Sequence, residues 1–286
     1  MTGRALAGRT RYGSRASTRT IRCKIQRVSS CVTERDQLIC LDLQEHRVLT
    51  TEQLYELHFP SIQRARARLT QLYELGVVWR TRPHIRLGSL PWHYVLDEMG
   101  ALIVAEYLGI DQRELGYRAD QKRRLIDNQR LRHTRAANGF FTRMISATRS
   151  TKNLLQVAEW RGEVWCARRW QQLIRPDGYA RLEGAAGSLE MLLELDLGTE
   201  NLGRLEDKME RYRVLARAVT APDVVVFCFP SAAREASARR VLGGTPMPVA
   251  TATLDRHLSD PLGPNWLLMA GDRRARLRDL PQRRME

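Results

Sequence analysis

The chain has 286 residues, of which 43% are hydrophobic, and it carries a formal net charge of +15 at pH 7. This length permits a sizeable core, and no stretch approaches the ~18 consecutive apolar residues of a membrane span, so we expect no membrane contact. The basic N-terminus has no apolar run behind it and the five cysteines lack a C-x-x-C pair. We therefore expect a cytoplasmic protein with reduced thiols, without a secretory signal, disulfide framework or zinc site.

The positive charge indicates a polyanionic partner, and nucleic acid is the usual one for a cytosolic protein. Nearly all of this charge comes from arginine, whose planar guanidinium binds phosphate and guanine through two hydrogen bonds. Residues 1–30 contain basic residues and no acid. They predict a disordered basic arm that follows a phosphate backbone, although a solvated tail without a function would have the same composition.

Two capping pairs mark the first predicted helices. Thr33 with Asp36 predicts a helix that runs to about residue 46, because each side chain can bond the backbone N–H of the other. Thr50 with Gln53 repeats this pattern for a short helix over residues 51–57. Both helices lie at the start of the region with regular hydrophobic periodicity.

A third helix begins near Ser61, with apolar residues at steps of three and four until Gly76 ends it. Strands are predicted at residues 77–82 and 92–96, on either side of the loop "RPHIRLGSLP". Three helices followed by a two-stranded hairpin predict a winged helix-turn-helix over residues 31–112. Double-stranded DNA is then the expected partner.

The outward face of the third helix carries the side chains that could read DNA. A helix that enters the major groove needs short or forked hydrogen-bond donors near its N-terminus, and arginines of the wing would contact phosphates or the minor groove. An amphipathic core helix with a solvated charged face would have the same pattern. The candidate DNA-binding residues are Ser61, Gln63, Arg64, Arg68 and Gln71 on the helix, with Arg82 and Arg86 in the wing.

Residues 113–150 are predicted to form a connecting helical segment. A helix over residues 98–108 closes the first module, the loop "GIDQRELGY" follows, and a long helix is predicted from about residue 119 to 148. Two interpretations stay open for the long helix: it is a dimer arm, which would make the protein a homodimer, or it is the first helix of the next domain. His133 and Asn138 on it are expected to be polar core or interface residues.

The pattern changes to a period of two in residues 151–286, which predicts an α/β domain with a mixed sheet and makes the whole chain α+β. The predicted order is several strands, a helix, a buried strand, a second helix and a last strand. The predicted strands are "LLQVAEW", "EVWCARRW", "DGYARLE", "SLEMLLELDLG", "APDVVVFCFP" and "PVATATL", and the predicted helices are "NLGRLEDKMERYRVLARA" and "SAAREASARRVL".

Three carboxylates form a candidate metal site in this domain. Glu194 and Asp196 alternate with leucines along one strand and so face the same side, ~7 Å apart, while Asp177 begins the neighbouring strand. These anions repel each other unless a cation lies between them, and Mg²⁺ or Mn²⁺ prefers oxygen ligands and lowers the pKa of bound water. Pairing with nearby arginines is the alternative, and the candidates for it are Arg175, Arg181 and Arg204.

The carboxylate pattern resembles the PD-(D/E)xK nuclease superfamily, whose motif is Pro-Asp on one strand and Asp/Glu-x-Lys on the next. Pro176-Asp177 matches the first part and Glu194 the second, while Asp196 stands where the lysine is expected. Lys208, on the following helix, is the lysine that could replace it. The resemblance implies that Asp177 and Glu194 are metal ligands, that Asp196 is a ligand or a base, and that Lys208 is catalytic.

Across residues 47–286 the chain resembles the replication-relaxation family of actinobacterial plasmids and integrative elements. The segments that carry the resemblance follow one another in the family's order and spacing. They are "LTTEQLYELHF", "ARARLTQLYELGVVWR", "HYVLDEMGALIVAEYLG", "LRHTRAANGFF", "RPDGYARL", "LLELDLGTENLGRLEDKMERYRVL" and "DPLGPNWLLM". The resemblance implies a role in plasmid replication and in relaxation of plasmid DNA, for which a relaxase or a replication initiator is a compatible partner.

Three functions are compatible with these patterns. The first is a DNA-processing enzyme that nicks or cleaves with Mg²⁺ or Mn²⁺, and the second is a non-enzymatic DNA-binding regulator or accessory factor with a degenerate nuclease-like domain. In the third, the C-terminal half is an oligomerisation or partner-docking module. The sequence contains neither the histidine cluster of relaxases nor a Gly-x-x-x-x-Gly-Lys phosphate-binding loop, so an ATP-driven motor is not expected.

Overall fold

The computed structural model describes most of the chain from Ser30 to the C-terminal region. The predicted basic arm, apart from Ser30, and the wing residue Arg86 lie outside the described residues. Of the helices in the described part, none has the length and apolarity to cross a membrane. The described ranges are residues 30–82, 90–120, 122, 130–150, 155–185, 187–198, 201–217, 221–243 and 246–281.

The N-terminal part contains helices packed on a small antiparallel sheet. The sheet has three strands in the order β1-β3-β2, so the strand that follows the first helix joins the hairpin formed later. Its core includes Ile39, Leu54, Leu69 and Tyr94. The elements are α1 (Glu34–His46), β1 (Leu49–Thr50), α2 (Thr51–His58), α3 (Ile62–Glu74), β2 (Val78–Thr81), β3 (His93–Leu96) and α4 (Glu98–Leu108).

Both predicted capping boxes are confirmed. Thr33 and Asp36 cap α1 reciprocally, and Thr50 and Gln53 do the same for α2. These bonds satisfy backbone N–H groups that a helix leaves without a partner in its first turn.

A close approach of α4 to the chain before β2 requires glycine at position 100, because a Cβ there would lie 2.3 Å from the carbonyl oxygen of Val77.

The C-terminal part is built on a seven-stranded mixed sheet in the order β10-β9-β8-β7-β6-β5-β4. β6 and β7, and β7 and β8, pair in parallel, whereas the other neighbours are antiparallel. The predicted mixed α/β architecture is therefore confirmed. The elements are α5 (Leu131–Ser150), β4 (Gln156–Gly162), α6 (Glu163–Arg169), β5 (Gly178–Gly184), β6 (Gly187–Leu195), α7 (Leu202–Ala216), β7 (Val224–Phe229), α8 (Ala232–Arg239), β8 (Val249–Thr253), α9 (Leu254–Ser259), β9 (Trp266–Leu268), β10 (Arg274–Ala275) and a 3₁₀ turn (Leu277–Asp279).

The prediction of a strand over "EVWCARRW" is wrong, since Glu163–Arg169 is a helix. Cys166, Ala167 and Trp170 are buried, and this spacing places them on one helical face that packs beneath the sheet. The long helix also begins later than predicted, because Ala119 and Asp120 lie in a turn. Helix α9 and strands β9 and β10 were not predicted, because these elements are short and their hydrophobic residues follow no clear period.

The helices cover both faces of the large sheet. On one face, α5 packs through Phe140, Phe141 and Met144 against residues that include Leu193 and Leu195. On the other face, α6, α7 and α8 pack against Leu192 and its neighbours. Because strand side chains alternate between faces, β6 directs its leucines at odd positions toward α5 and its even positions toward α7 and α8.

Helix α5 also binds the N-terminal part. The side-chain amide of Asn138 donates to the carbonyl oxygens of His46 (3.2 Å) and Val48 (2.8 Å), which connect α1 to β1. Gln53 donates to the carbonyl oxygen of Arg135 (2.8 Å), and Trp160 of β4 stacks on the His46 ring with centroids 3.4 Å apart. The small and large sheets are thereby held against one helix.

We predict that Asn138→Ala lowers the free energy of unfolding by about 1–3 kcal/mol, because it leaves two buried carbonyl oxygens without donors. Chemical denaturation followed by circular dichroism measures this effect. Arg132→Ala, an exposed position on the same helix, is the control and should leave the stability within about 0.5 kcal/mol of wild type. Equal stability of the two variants would contradict the role assigned to Asn138.

Candidate functional site

The outward face of α3 carries polar and basic side chains without an acid in its first turn. Gln63, Arg64 and Arg66 are exposed, while Ala65 and Leu69 on the opposite side are fully buried. Ser61 caps the helix, since its hydroxyl oxygen accepts a hydrogen bond from the backbone N–H of Arg64 (3.4 Å). The positive end of the helix dipole lies at this N-terminal turn, and Arg64 and Arg66 lie on either side of Gln63 around the helix.

Arg68 makes contacts within the protein. Its Nε and Nη2 donate to the two carboxylate oxygens of Asp36 (3.0 and 2.5 Å), Nη2 also donates to the carbonyl oxygen of Cys31 (2.7 Å), and Nη1 donates to Gln71 (2.8 Å). Burial raises the pKa of Asp36, but the hydrogen bonds from Arg68 and Thr33 outweigh it and lower the pKa below its ordinary value. This buried pair fixes α3 against α1.

A stacked arginine joins α3 to the β2–β3 hairpin. The guanidinium of Arg80 lies over the rings of Tyr73 (4.6 Å) and Trp92 (4.7 Å) and donates to the Thr70 hydroxyl (3.2 Å). Arg82 also lies over the Trp92 ring (5.8 Å) and donates to the carbonyl oxygen of Leu90. Cation–π contacts of this kind stabilise a hairpin against its helix. Arg66 and Arg80 are not among the residues predicted from the sequence. The contacts of Arg80 could not be predicted, because only the fold brings Tyr73 and Trp92 together.

The three candidate carboxylates lie near the carboxyl end of β6. Glu194 is 3% exposed, and its oxygens accept hydrogen bonds from Tyr212 (2.6 Å) and Lys208 (2.8 Å) of α7. Asp177, directly before β5, accepts a hydrogen bond from the backbone N–H of Leu195 at the end of β6 (2.7 Å). The structure thus brings the predicted Lys208 into contact with Glu194. Lys208 lies on α7, which packs on the sheet face that the even-numbered side chains of β6 point to.

Asp196 lies on the same face but has a different partner. Its Oδ2 accepts hydrogen bonds from Nε and Nη2 of Arg234 on α8 (2.8 and 2.7 Å), and its Oδ1 accepts one from the backbone N–H of Gly198 (2.6 Å). Two of the expected arginines have other contacts: Arg175 donates to Gln172, and Arg181 pairs with acids of β4 and β5. The third, Arg204, is exposed on α7. The alternative of an arginine pair therefore holds for Asp196, through Arg234.

Asp177 has the weakest charge compensation of the three. Its Oδ1 lies 3.3 Å from Nδ1 of His133, which donates from Nε2 to the Leu195 carbonyl oxygen (2.6 Å). Burial and the neighbouring charge of Glu194 raise the pKa of Asp177 from 3.8 to about 7. In the described part of the chain, no three His, Cys, Asp or Glu side chains are grouped so that they could hold a metal ion.

A sequence model of the replication-relaxation family matches residues 41–225, which is more than half of the chain. The chain belongs to the replication-relaxation family. The match begins within α1 and ends at the start of β7, and it therefore includes α3, α5 and the three candidate carboxylates. Neither the curated proteins nor the solved structures contain a significant match.

Several residues of this replication-relaxation protein that shape the site were missed from sequence. His133 and Tyr212 contact the carboxylates directly, and Arg234 neutralises Asp196. Tyr212 lies in the predicted helix "NLGRLEDKMERYRVLARA", and a tyrosine needs a hydrogen-bond partner when it is buried. That requirement is a signal for an acceptor, although the sequence does not identify which one.

The raised pKa of Asp177 predicts a pH-dependent stability. Between pH 3.8 and about 7 the folded protein keeps a proton on Asp177 that the unfolded chain releases, so the free energy of unfolding falls as pH rises through this interval. Asp177→Asn removes the titrating group and should make this fall shallower. The measurement is denaturant unfolding at several pH values in EDTA.

The control for this prediction is Asp279→Asn, because the Asp279 side chain is 56% exposed and lies far along the chain from the site. It should leave the pH profile of wild type unchanged. Parallel profiles for wild type and Asp177→Asn would show that the proton on Asp177 does not contribute to stability.

Proposed function

We propose that this protein binds double-stranded DNA through α3 and the β2–β3 hairpin as a winged helix-turn-helix, and that it acts on plasmid or mobile-element DNA in replication and relaxation. The membership of the replication-relaxation family supports the second half of this proposal. The helices α1, α2 and α3, with a hairpin that pairs to a strand between α1 and α2, support the first half.

The observation on which DNA binding rests is the exposed set Gln63, Arg64 and Arg66 at the N-terminal end of α3. A recognition helix contacts base edges through such residues, and arginine is the most frequent donor to guanine. Arg68 is a positioning residue in this proposal, because its guanidinium is bound to Asp36. Arg80 and Arg82 hold the hairpin, and Arg86 belongs to the proposed wing.

We predict that Arg64→Ala and Arg66→Ala each weaken binding to duplex DNA by about 1–3 kcal/mol and lower the slope of log K against log salt by about 1. Fluorescence anisotropy at several salt concentrations measures both quantities. Arg240→Ala, exposed on the far side of the large sheet after α8, serves as the control. Unchanged salt slopes in the α3 variants would remove this helix from the interface.

A second candidate function is metal-dependent DNA nicking at Asp177 and Glu194. The contact of Lys208 with Glu194 favours it, because a carboxylate on one strand with a lysine beside it is the arrangement that the PD-(D/E)xK resemblance implies. The negative charge of Glu194 contributes to the raised pKa of Asp177, and a divalent cation between the two carboxylates would compensate this repulsion.

The donor set fits Mg²⁺ or Mn²⁺ at Asp177 and Glu194, since both supply carboxylate oxygens with further lone pairs. Asp196 fits less well, because Arg234 already neutralises its charge. A bound cation would supply a hydroxide nucleophile at neutral pH. Tyr212 holds the Glu194 carboxylate in one orientation, and Lys208 places a positive charge where a phosphate oxygen would develop negative charge.

Incubation of supercoiled plasmid with the protein and Mg²⁺ or Mn²⁺ tests this candidate. We expect conversion to nicked circles, at least about a hundredfold slower in Glu194→Ala and Lys208→Ala because each removes charge from the reacting centre. Glu183→Gln, an exposed acid on β5, should behave as wild type. Nicking that survives Glu194→Ala would rule out this site. The absence of nicking in wild type would rule out the nuclease function and favour a non-enzymatic DNA-binding accessory protein.

A further inference from the structure

A cavity of about 330 Å³ lies where the N-terminal part meets the large sheet. The end of α1 and the start of β1 form one wall, α5 forms the second, and α6 with the segment before β5 forms the third. Asp177 and His133 both line it. Asp177 of the candidate carboxylate site therefore borders a space that two separate regions of the chain enclose.

The volume of the cavity restricts what can enter it. It is at the lower end of the ~300–1,000 Å³ range that small-ligand sites occupy. One nucleotide of an unpaired strand has dimensions of this order. A double helix cannot enter the cavity, because its major groove alone is about 12 Å wide. A DNA ligand that reaches Asp177 through this cavity must therefore be single-stranded or locally unpaired.

The charges on the cavity wall favour an anionic group. Arg47 and Arg168 line the cavity and are exposed, and neither guanidinium makes a hydrogen bond or ion pair within the described part of the chain. Each acid of the wall has a contact: Glu163 pairs with Arg130, Glu45 accepts a hydrogen bond from the Gly162 N–H (3.1 Å), and Asp177 lies 3.3 Å from the His133 imidazole. Two forked cations thus face a space whose carboxylates already have partners.

Two further observations concern the same wall. His46 lines the cavity, is 5% exposed, and its Nδ1 has no hydrogen-bond partner among the described residues. Arg47, Gln171 and Gln172 are the non-glycine residues with positive φ in the described part, at 68°, 49° and 64°. Such conformations carry strain that often accompanies a binding site, and two of these residues, Arg47 and Gln172, line this cavity.

We propose that this cavity holds one nucleotide of an unpaired DNA strand, with its phosphate bound by Arg47 and Arg168 beside Asp177. The inference rests on the proposed function that the protein acts on DNA, and it adds the substrate class: a strand that is already unpaired, or that is opened locally. Duplex binding through α3 and strand binding in the cavity then involve different residues, and the two can be measured separately.

The test uses the full chain, with EDTA present so that no cleavage occurs. A fluorescein-labelled oligothymidine is the single-stranded probe and a hairpin duplex is the second probe, both read by anisotropy over a salt series. In Arg47→Gln/Arg168→Gln we expect oligothymidine affinity to fall about tenfold and the salt slope to fall by about 0.7 for each arginine. Arg169→Gln is the matched control, because Arg169 is exposed on the same helix and does not line the cavity.

A second variant separates confinement from charge. Thr134→Phe fills the cavity from α5 without changing its charge, and it should abolish oligothymidine binding while hairpin binding stays at the wild-type level. Circular dichroism melting establishes that each variant is folded. Oligothymidine affinity that is unchanged in both the double variant and Thr134→Phe, or a loss of the same size in Arg169→Gln, would overturn the proposal.

Binding of the duplex DNA probe tests the proposed function independently. Loss of duplex binding in Arg64→Ala, with normal oligothymidine binding, supports separate sites for duplex and single-stranded DNA. Loss of oligothymidine binding in the cavity variants, with duplex DNA binding unchanged in Arg64→Ala, supports the nucleotide site in the cavity and removes α3 from the duplex interface.

Discussion

Helix α5 is in contact with two cores at once, and the arrangement of the molecule depends on it. Its apolar side, with Phe140, Phe141 and Met144, forms the layer over the large sheet, while Ile145 packs on the N-terminal core. The buried amide of Asn138 satisfies two carbonyl oxygens where α1 gives way to β1. Because a buried polar group without a partner is costly, these bonds fix one orientation of the small sheet relative to the large one. The cavity and the position of His133 beside Asp177 both follow from this orientation.

A second constraint is electrostatic. Four nearly fully buried carboxylates each have a basic partner: Asp36 with Arg68, Glu194 with Lys208, Asp196 with Arg234, and Glu235 with Arg274. Removal of either partner of such a pair would leave a buried charge uncompensated, which is strongly destabilising. Asp177 differs from these four, since its ionic partner is the imidazole of His133 and its pKa is raised to about 7. The four pairs hold helices in place, and Glu194 among them also belongs to the candidate site beside Asp177.

The arginines divide in the same way. Arg68 and Arg234 bind buried acids and so stabilise the fold, whereas Arg64 and Arg66 are exposed on α3, and Arg47 and Arg168 face the cavity without partners in the described region. In an arginine-rich chain with a charge of +15, the residue type alone does not separate these roles. The partner does, because a guanidinium bound to a buried carboxylate has few donors left for a phosphate.

The sequence by itself determined the local elements. Reciprocal caps at Thr33 and Thr50, the three-four spacing that ends at Gly76, and the alternation of leucines with Glu194 and Asp196 are set by residues within a few positions of one another, and the structure contains each of them. Only the tertiary structure decided which groups meet. Arg234 reaches Asp196 across 38 positions and Arg68 reaches Asp36 across 32, and the helix over Glu163–Arg169 forms because its apolar face packs beneath a sheet. Such contacts depend on chain segments that are distant in sequence, and periodicity contains no information about their pairing.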